Sequence, residues 1–306
     1  MKMPLPTIRA ERPCPICGCR TYENFADKRI ADERFNEFTY ASRKQPEFMC
    51  FRLVRCKRCD LVYAPNPPSK EFLESAYSSA SYDSQVEAQA AAKSYAHALQ
   101  PYISWFSDVR GAAVDVGAGN GALLPWLLKQ GFKPVIGIEP SLAAINAAHP
   151  EIAPLIQCGM FSETLLNNIH PTLICSFMTL EHISDPKAFA SNAFKALQPG
   201  GMIAIIAHNW RAPLNRLLGL RSPIIDIEHL QLFSGSSINS LLRQAGFQAI
   251  QRTSLINTYP LDYWLKLSPL PTSFKQIIAL MLKRVALATL PLSIPVGNML
   301  AIGIKP

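Results

Sequence analysis

The sequence predicts an α/β protein, with a parallel sheet covered by helices on both faces and a small cysteine-rich module in front of it. Two observations support this prediction. Apolar runs alternate with helical stretches from residue 112 onward, and two C-x-x-C pairs lie within the first 60 residues. The chain has 306 residues, 49% of them hydrophobic and 17% charged, which suffices for one large core and an appended module.

The cysteine module comes first. Each C-x-x-C pair can form a tight turn that presents two thiolates to one ion, and four sulfurs suit tetrahedral zinc. Four protein ligands leave no position for a substrate, so the predicted zinc is structural. Cys19 and Cys50 are alternative ligands. The predicted metal ligands are Cys14, Cys17, Cys56 and Cys59.

The proline-rich stretch "LVYAPNPPS" marks the end of this module. The predicted domains are a zinc-binding module at 1–68, a helical linker or cap at 69–110, and the α/β domain at 111–306. Within the linker, "SQVEAQAAAKSYAHALQPYISWF" has apolar residues at helical spacing.

The α/β domain begins with five predicted strands: "AAVDV", "PVIGIE", "APLIQC", "TLICSFM" and "MIAIIAHN". Between them lie the predicted helices "ALLPWLLKQG", "LAAINAAH", "SETLLNN" and "DPKAFASNAFKALQPGG". Such an alternation predicts a parallel sheet whose ligands bind at the carboxyl ends of the strands. Cys158 and Cys175 fall in these runs and are predicted to be buried small hydrophobes.

A glycine-rich loop follows the first of these strands. Its pattern, Asp115-x-Gly117-x-Gly119-x-Gly121, is not the G-x-G-x-x-G of nicotinamide enzymes, so a ligand without a pyrophosphate is implied. S-Adenosylmethionine fits, because glycines permit close backbone approach and its ammonium group suits a carboxylate such as Asp115. Glu139 ends the second strand, where a carboxylate can accept both hydroxyls of a ribose.

These motifs resemble those of class I S-adenosylmethionine-dependent methyltransferases, which have a Rossmann-like, seven-stranded sheet. The matching stretches are "VDVGAGNG", "GIEPS", "SFMTLEHISDP", "ALQPGGMIAIIAHN" and "EHLQLFSGSSINSLLRQAGF". The leader with "CPICG" and "RCKRCDLVYAPNPPS" resembles the zinc-binding leader of one branch, which includes sugar C-methyltransferases. The 306 residues are not expected to include a counterpart of the long C-terminal domain of those sugar enzymes.

The resemblance implies a role for each matching residue. The backbone of the glycines would lie against the methionine and ribose parts of the cofactor. Glu139 would hold the ribose diol, and residues 159–161 would border the adenine. Many relatives have an acid near this third strand end, but Cys158-Gly159-Met160 has none. The residues assigned to the cofactor are Asp115, Gly117, Ala118, Gly119, Gly121, Glu139, Pro140, Gly159, Met160, Phe161, Met178 and Glu181.

Two histidines are the candidate catalytic residues. His182 follows the fourth strand beside the expected methyl position, and His229 precedes a predicted helix start near the same rim. A general base is needed when the acceptor is a hydroxyl or a carbon acid, and imidazole titrates near neutral pH. The alternative for His182 is a local hydrogen bond that shapes its loop, and His208 is a third candidate. Met178 stands where related quinone O-methyltransferases place a metal-binding glutamate, so no catalytic metal is expected.

Beyond the fifth strand, "SGSSINSLLRQAGF" predicts a helix capped by Ser234 and ended by Gly246, and "QAIQRTSLI" a sixth strand. The stretch 285–304 is uncharged but is broken by prolines and a glycine, so no membrane span is expected. We expect an amphipathic helix at about 273–289, inside a helical insertion at about 257–295, then a last edge strand. This helix would cover the active site or lie on an anionic membrane surface.

Charge is uneven along the chain. Residues 61–209 carry 7 cations against 11 acids, whereas residues 210–306 carry 10 cations against 3 acids. The predicted function is methyl transfer to a small molecule, either neutral or anionic: a sugar, nucleotide-sugar or lipid-linked glycan. The alternatives are an RNA or protein methyltransferase that docks through the zinc module, and a non-catalytic scaffold. Nucleic acid is disfavoured because no basic patch interleaved with aromatics is evident.

The N-terminus is too polar for a signal peptide, which predicts a cytoplasmic location, with peripheral membrane contact as an option.

Overall fold

The computed structural model describes residues 8–36, 38–41, 46–82, 85–106, 110–166, 169–268 and 270–306. The first seven residues of the predicted module, Ser84 of the predicted linker helix, and Asn167 and Asn168 of "SETLLNN" lie outside this part. The strands are β1 (Tyr22–Ala26), β2 (Leu53–Cys56), β3 (Val62–Tyr63), β4 (Ala113–Val116), β5 (Val135–Glu139), β6 (Ile156–Cys158), β7 (Leu173–Phe177), β8 (Met202–His208), β9 (Gln231–Leu232), β10 (Gln248–Pro260) and β11 (Pro291–Ile304). The helices are α1 (Lys70–Ser78), α2 (Gln85–Ile103), α3 (Leu124–Lys129), α4 (Leu142–Asn146), α5 (Pro186–Ala196), α6 (Pro213–Leu218), α7 (Gly235–Ala245), α8 (Leu261–Leu267) and α9 (Thr272–Arg284).

Seven strands form the large sheet in the order β10-β11-β8-β7-β4-β5-β6. The strands from β4 to β8 pair in parallel, and β11 runs antiparallel between β8 and β10. The predicted α/β fold with a seven-stranded sheet is confirmed. The last strand is not an edge strand, however: its residues Met299 to Ile302 are buried, because β8 and β10 pair with it on both sides.

Apolar residues of β4, β5, β7 and β8 are buried on both faces of the sheet, which explains their continuous apolar sequences. Helix α7 has the predicted ends. The Ser234 hydroxyl accepts the N–H of Ser237 in a capping box, and Gly246 ends the helix in the left-handed conformation with φ +104°. Its residues Ile238, Leu241 and Leu242 are buried against the sheet.

The N-terminal module forms a second sheet in the order β1-β2-β3-β9. Strand β9 comes from the later part of the chain and pairs antiparallel with β3, with Val62 opposite Leu232 and Tyr63 opposite Gln231. Cysteines of the module and apolar residues of the large sheet share one core. The module is therefore packed against the α/β domain, while the division at residues 68 and 110 stays a prediction.

The C-terminal insertion differs in detail from its prediction. Strands β10 and β11 pair as far as Pro260 and Pro291, whereas β8 pairs with β11 only up to Asn298. The two strands thus form a hairpin arm that carries α8 and α9. Helix α8 was not predicted, and α9 ends at Arg284 rather than near 289. In the described part of the chain, no helix is both long and apolar enough to span a bilayer.

Candidate active site

The glycine loop lies at the carboxyl end of β4. Gly117, Gly119 and Gly121 have φ values of +77°, +56° and +72°, a conformation that side chains with a Cβ rarely adopt. A Cβ at Gly117 would collide with the side chain of Thr179, and a Cβ at Gly121 would lie 2.6 Å from Ile152 Cγ2. A Cβ at Gly119 would meet nothing within 4 Å, because this residue faces open space.

Glu139 lies beside this loop at the end of β5. One of its carboxylate oxygens accepts the N–H of Gly119 and the other accepts the N–H of Ser141, both at 2.8 Å. Burial raises the pKa of Glu139, and these two hydrogen bonds partly offset that rise. Glu139, the residue predicted to bind the ribose, therefore also holds the conformation of the glycine loop through its hydrogen bond with Gly119.

A cavity of about 760 Å³ opens above the loop. This volume is in the upper part of the range of about 300–1,000 Å³ typical of small-molecule sites. Gly121 and Glu181 are absent from its described lining: Gly121 packs into the core, and Glu181 is buried below the cavity surface. The other predicted cofactor residues all line it, namely Asp115, Gly117, Ala118, Gly119, Glu139, Pro140, Gly159, Met160, Phe161 and Met178.

The cavity suits a polar ligand of the predicted kind. Asn120, in the glycine loop, is buried, and its side-chain oxygen has no hydrogen-bond partner among the described residues. Such an atom costs free energy unless a ligand or water donates to it. The open space at Gly119 lies one residue away. The donors, acceptors and free volume here fit an S-adenosyl cofactor.

Three histidines line another part of the cavity. The ring centroids of His182 and His229 are 5.0 Å apart, and those of His208 and His229 are 5.2 Å apart. The carboxylate of Glu228 lies between the first two: Oε2 is 4.0 Å from Nδ1 of His182, and Oε1 is 3.8 Å from Nε2 of His229. The structure thus brings both predicted catalytic histidines together and adds an acid to them.

Backbone carbonyls orient these rings. The carbonyl oxygen of Ile224 lies 2.9 Å from Nδ1 of His229, and that of Glu228 lies 3.2 Å from Nδ1 of His182. A carbonyl oxygen only accepts, so each contact requires a proton on Nδ1 and makes Nε2 the basic nitrogen. The hydroxyl of Tyr77 also lies 3.2 Å from Nδ1 of His182. In this tautomer, Nε2 of His182 is the nitrogen that can accept a proton.

Glu181 supports the histidines from below. It is fully buried, and its Oε1 accepts the N–H of His208 at 2.6 Å. Burial raises the pKa of Glu181 to about 7. Its placement differs from the predicted direct contact with the cofactor, because the side chain points toward the backbone of β8 and not into the cavity.

The histidine cluster could also hold a metal. One ligand atom each from His182, Glu228 and His229 lie within 4.8 Å of one another. The same distances suit an ion pair between a carboxylate and a protonated imidazole, which needs no metal.

The four predicted metal ligands form one cluster. The Sγ atoms of Cys14 and Cys59 are 3.5 Å apart, as are those of Cys17 and Cys56, and all four lie within 4.8 Å of one another. Four sulfurs at about 2.3 Å from a tetrahedral zinc are roughly 3.8 Å apart. The pKa of Cys59 is raised by its hydrogen bond to Cys14 and by burial. All four thiols become thiolates together only around a cation, so the cluster is compatible with a zinc site.

The other cysteines lie outside the cluster. Cys19 contacts the Thr21 hydroxyl at 3.0 Å, and Cys50 contacts the carbonyl of Asp27. Cys175 is buried as predicted. Cys158 is exposed, contrary to the prediction, because it ends the edge strand β6, where the sheet leaves it uncovered.

The cysteine module contacts all three segments that carry the histidines. The carbonyl of Asp60, next to Cys59, accepts the indole N–H of Trp210 at 3.1 Å and the hydroxyl of Ser234 at 3.3 Å. The Asp60 carboxylate pairs with Arg211 at 2.7 and 2.9 Å. The guanidinium of Arg12, two residues before Cys14, donates to the carbonyl of Ser184 at 2.6 Å.

Sequence reasoning missed several residues of the cavity wall. Glu228 directly precedes His229 in "IEHL", and this adjacent acid was the available signal. Tyr77 carries no local signal, since it reaches the site from a distant part of the chain. Thr179 directly follows Met178 in "SFMTLEHISDP", and this position was the available signal. Aromatic residues of the insertion were also missed: the rings of Tyr259, Tyr263 and Trp264 contact one another beside the cavity.

Comparisons with known proteins agree with this architecture. A family model described as a methyltransferase domain matches residues 82–252, more than half of the chain. A probable S-adenosylmethionine-dependent methyltransferase of Mycolicibacterium smegmatis is 27% identical over 138 residues, which cover 44% of this chain and 51% of that relative. The chain therefore spans about half the length of this curated relative.

Solved structures are similar at low sequence identity. A Thermotoga maritima methyltransferase, described as a possible histamine N-methyltransferase, shares 17% identity at a TM-score of 0.46, over 72% of this chain and 91% of that one. A Bacillus halodurans putative methyltransferase shares 14% identity at a TM-score of 0.49, over 69% and 98%. These values identify no acceptor. The family match and the seven-stranded sheet lead to one conclusion: the chain belongs to the methyltransferase-domain family and has the class I, Rossmann-like methyltransferase fold.

Proposed function

We propose that the protein methylates a hydroxyl group of a small polyhydroxyl acceptor, such as a sugar or a lipid-linked glycan. S-Adenosylmethionine would supply an electrophilic methyl group, so the protein mainly has to align the acceptor and remove its proton. The observation that carries the proposal is the pair His182 and His229 with Glu228 between them, in the same cavity as the glycine loop. A base of this kind serves a hydroxyl acceptor.

Two groups of residues divide the work. The glycine loop, Glu139 and residues 159–161 would hold the cofactor. Nε2 of His182 would accept the proton of the acceptor hydroxyl, while the Glu228 carboxylate stabilises the imidazolium that forms. His229 is the second candidate for this base, because its ring lies 5.0 Å from that of His182 in the same cavity and its Nε2 lies 3.8 Å from Oε1 of Glu228.

The charge of the cavity favours an acceptor whose reacting end is uncharged. Lys70 is the one lysine or arginine among the described lining residues. A phosphate inside the cavity would meet repulsion, whereas sugar hydroxyls can donate to carboxylates and stack on aromatic rings. This argues against the anionic acceptor end that the sequence suggested, and equally against a nucleic acid strand. Six acids line the cavity: Glu74, Asp115, Glu139, Asp185, Asp226 and Glu228.

We further propose that Cys14, Cys17, Cys56 and Cys59 hold one structural zinc ion. The closed set of four sulfurs supports a structural role, since no position is left for a substrate. The contacts of Asp60 and Arg12 with the histidine segments suggest that the zinc module positions the acceptor side of the cavity.

Transfer of a radiolabelled methyl group tests the proposal. Neutral glycosides, nucleotide-sugars, lipid-linked glycans and an oligoribonucleotide are offered in parallel to the purified protein. The expected product is a methyl ether on a sugar. His182→Ala should lower kcat about 10²- to 10⁴-fold, the usual contribution of a general base, with unchanged affinity for S-adenosylhomocysteine.

His97→Ala, an exposed histidine on α2 outside the cavity lining, is the matched control and should keep full activity. Methylation of the oligoribonucleotide alone, or full activity of both His182→Ala and His229→Ala, would refute the proposed chemistry.

A further inference from the structure

The C-terminal insertion exposes a large apolar surface. Helix α9 packs against α8, yet none of its 13 residues is fully buried. Nine apolar side chains in this region are between 41% and 63% exposed, and together they form the apolar patch: Leu270, Phe274, Ile277, Leu280, Met281, Val285, Leu287, Leu290 and Leu292. Phe274, Ile277 and Met281 recur at the spacing of one helix face, and an exposed apolar face marks a site of interaction with another molecule or a membrane.

Positive charge accompanies the apolar patch. Lys275, Lys283 and Arg284 lie on α9 among the apolar residues, and no acid follows Asp262 in the sequence. A helix that combines exposed Phe, Ile and Leu with lysine and arginine suits the surface of an anionic bilayer, where each cation contributes about 1 kcal/mol. A second copy of the chain fits less well. A two-fold interface would bring the same cations of both copies together.

The shape of the insertion suits a helix that lies flat on a surface. Strands β10 and β11 continue past the last pair with β8, Asn298 opposite His208, so α8 and α9 lie at the end of a hairpin arm. Helix α9, with 13 residues, is about 20 Å long, too short to cross a bilayer but long enough to lie in its interface.

The insertion also forms part of the cavity wall. Tyr263, Trp264 and Leu267 of α8 line the cavity, whereas α9 contributes no residue to its described lining. Helix α8 therefore covers the cavity, as was predicted for the helix at 273–289, whereas the apolar patch of α9 does not contact the cavity. A surface that binds α9 would lie one helix away from the cavity.

We propose that the apolar patch docks on the surface of an anionic lipid bilayer, and that this docking brings the cavity to acceptors carried by the membrane. The second part rests on the proposed function. A lipid-linked glycan matches both surfaces: its uncharged sugar would enter the acid-lined cavity, while its phosphate and tail would stay with the cations and the lipid.

Vesicle flotation of the full chain tests the docking without cofactor or acceptor. The vesicles contain phosphatidylcholine alone or phosphatidylcholine mixed with phosphatidylglycerol. The wild-type protein should float with the mixed vesicles, and less so at high salt. Replacing two cations, as Lys283→Gln with Arg284→Gln, should weaken this binding about 30-fold. Phe274→Ser with Leu280→Ser should abolish it. Both side chains are exposed, so this variant should remain folded.

Leu142→Ser is the matched control, an exposed leucine on α4 near the opposite edge of the sheet, and it should bind as the wild type does. No flotation of the wild type, or equal flotation of the double variants, would overturn the docking. So would a wild-type dimer that Phe274→Ser with Leu280→Ser converts into a monomer. Vesicle binding without any methyl transfer would refute the proposed function and leave the docking intact, so the two failures are distinguishable.

Discussion

The ionisation of Glu181 is coupled to the stability of the folded state. Its pKa is about 7 in the folded protein, well above the ordinary value of 4.5, because burial disfavours the charged form. Between these two values the folded state holds a proton that the unfolded state has lost. The free energy of unfolding therefore falls as the pH rises from about 4.5 to 7, by roughly 3 kcal/mol in total.

Glu181→Gln should remove this pH dependence and keep an oxygen that accepts the N–H of His208. The free energy of unfolding of the wild type should fall by about 3 kcal/mol from pH 5 to pH 8, and that of the variant should not fall. Urea denaturation of both proteins at both pH values measures this difference. Glu151→Gln, at an exposed glutamate, serves as the control. Parallel pH profiles for the wild type and Glu181→Gln would show that the buried carboxyl does not titrate in this range.

The residues of the site were predictable to the extent that each carries a local signal. Glu139 is the last residue of a strand, the glycines follow a strand, and both histidines directly follow an acid. Their mutual geometry was not predictable. The contact of Tyr77 with His182 joins residues 105 positions apart. His229 is oriented by the backbone carbonyl of Ile224, and a backbone group leaves no trace in the sequence.

At the scale of elements, substitutions at two glycines of the loop should have different effects, one on stability and the other on cofactor affinity. Gly117→Ala should destabilise the fold most, because it adds a collision with Thr179 to the cost of the left-handed backbone, about 1–2 kcal/mol for the latter. Gly119→Ala meets no neighbour, so it should show only the backbone cost. Its methyl group would point into the cofactor space and weaken binding of S-adenosylhomocysteine about tenfold or more.

Gly131→Ala provides the matched control. Gly131 has φ +87°, has open space around its Cβ position and lies outside the described cavity lining. It should lose as much stability as Gly119→Ala but no affinity, as measured by thermal unfolding and calorimetric titration. Equal affinity in Gly119→Ala and Gly131→Ala would place the cofactor elsewhere.

The strands were predicted better than the C-terminal insertion. Strands β4, β5, β7 and β8 begin and end within one residue of their predicted apolar runs, because strands buried on both faces have continuous apolar sequences. The order of strands is not visible in such runs, so β11 was placed at the edge. Helix α8 spans only seven residues between two prolines, too few for a periodic signal.

At the scale of the whole molecule, the cysteine module should influence turnover more than cofactor affinity. Its contacts reach Trp210, Ser234 and Ser184, close in sequence to the three histidines, whereas the glycine loop and Glu139 lie on other strands. Cys59→Ser should lose about one zinc per chain, lower the melting temperature and reduce kcat.

In the same variant, the dissociation constant of S-adenosylhomocysteine should stay within about threefold of wild type, a change below roughly 0.7 kcal/mol. Cys19→Ser, at a neighbouring cysteine outside the cluster, is the control and should keep its metal. A folded wild type without zinc would remove the metal assignment. Zinc retained in Cys59→Ser would point instead to the cluster of His182, Glu228 and His229.

Calorimetric titration of the zinc-replete protein with S-adenosylhomocysteine tests the central claim most directly. We expect one site per chain with micromolar affinity. Glu139→Ala should bind about 100-fold or more weakly, because the two hydrogen bonds that its carboxylate would accept from the ribose hydroxyls are lost. Glu151→Gln should bind normally. Absence of binding to the folded wild-type protein, or equal binding by Glu139→Ala, would contradict the account of this cavity as the cofactor site of a methyltransferase.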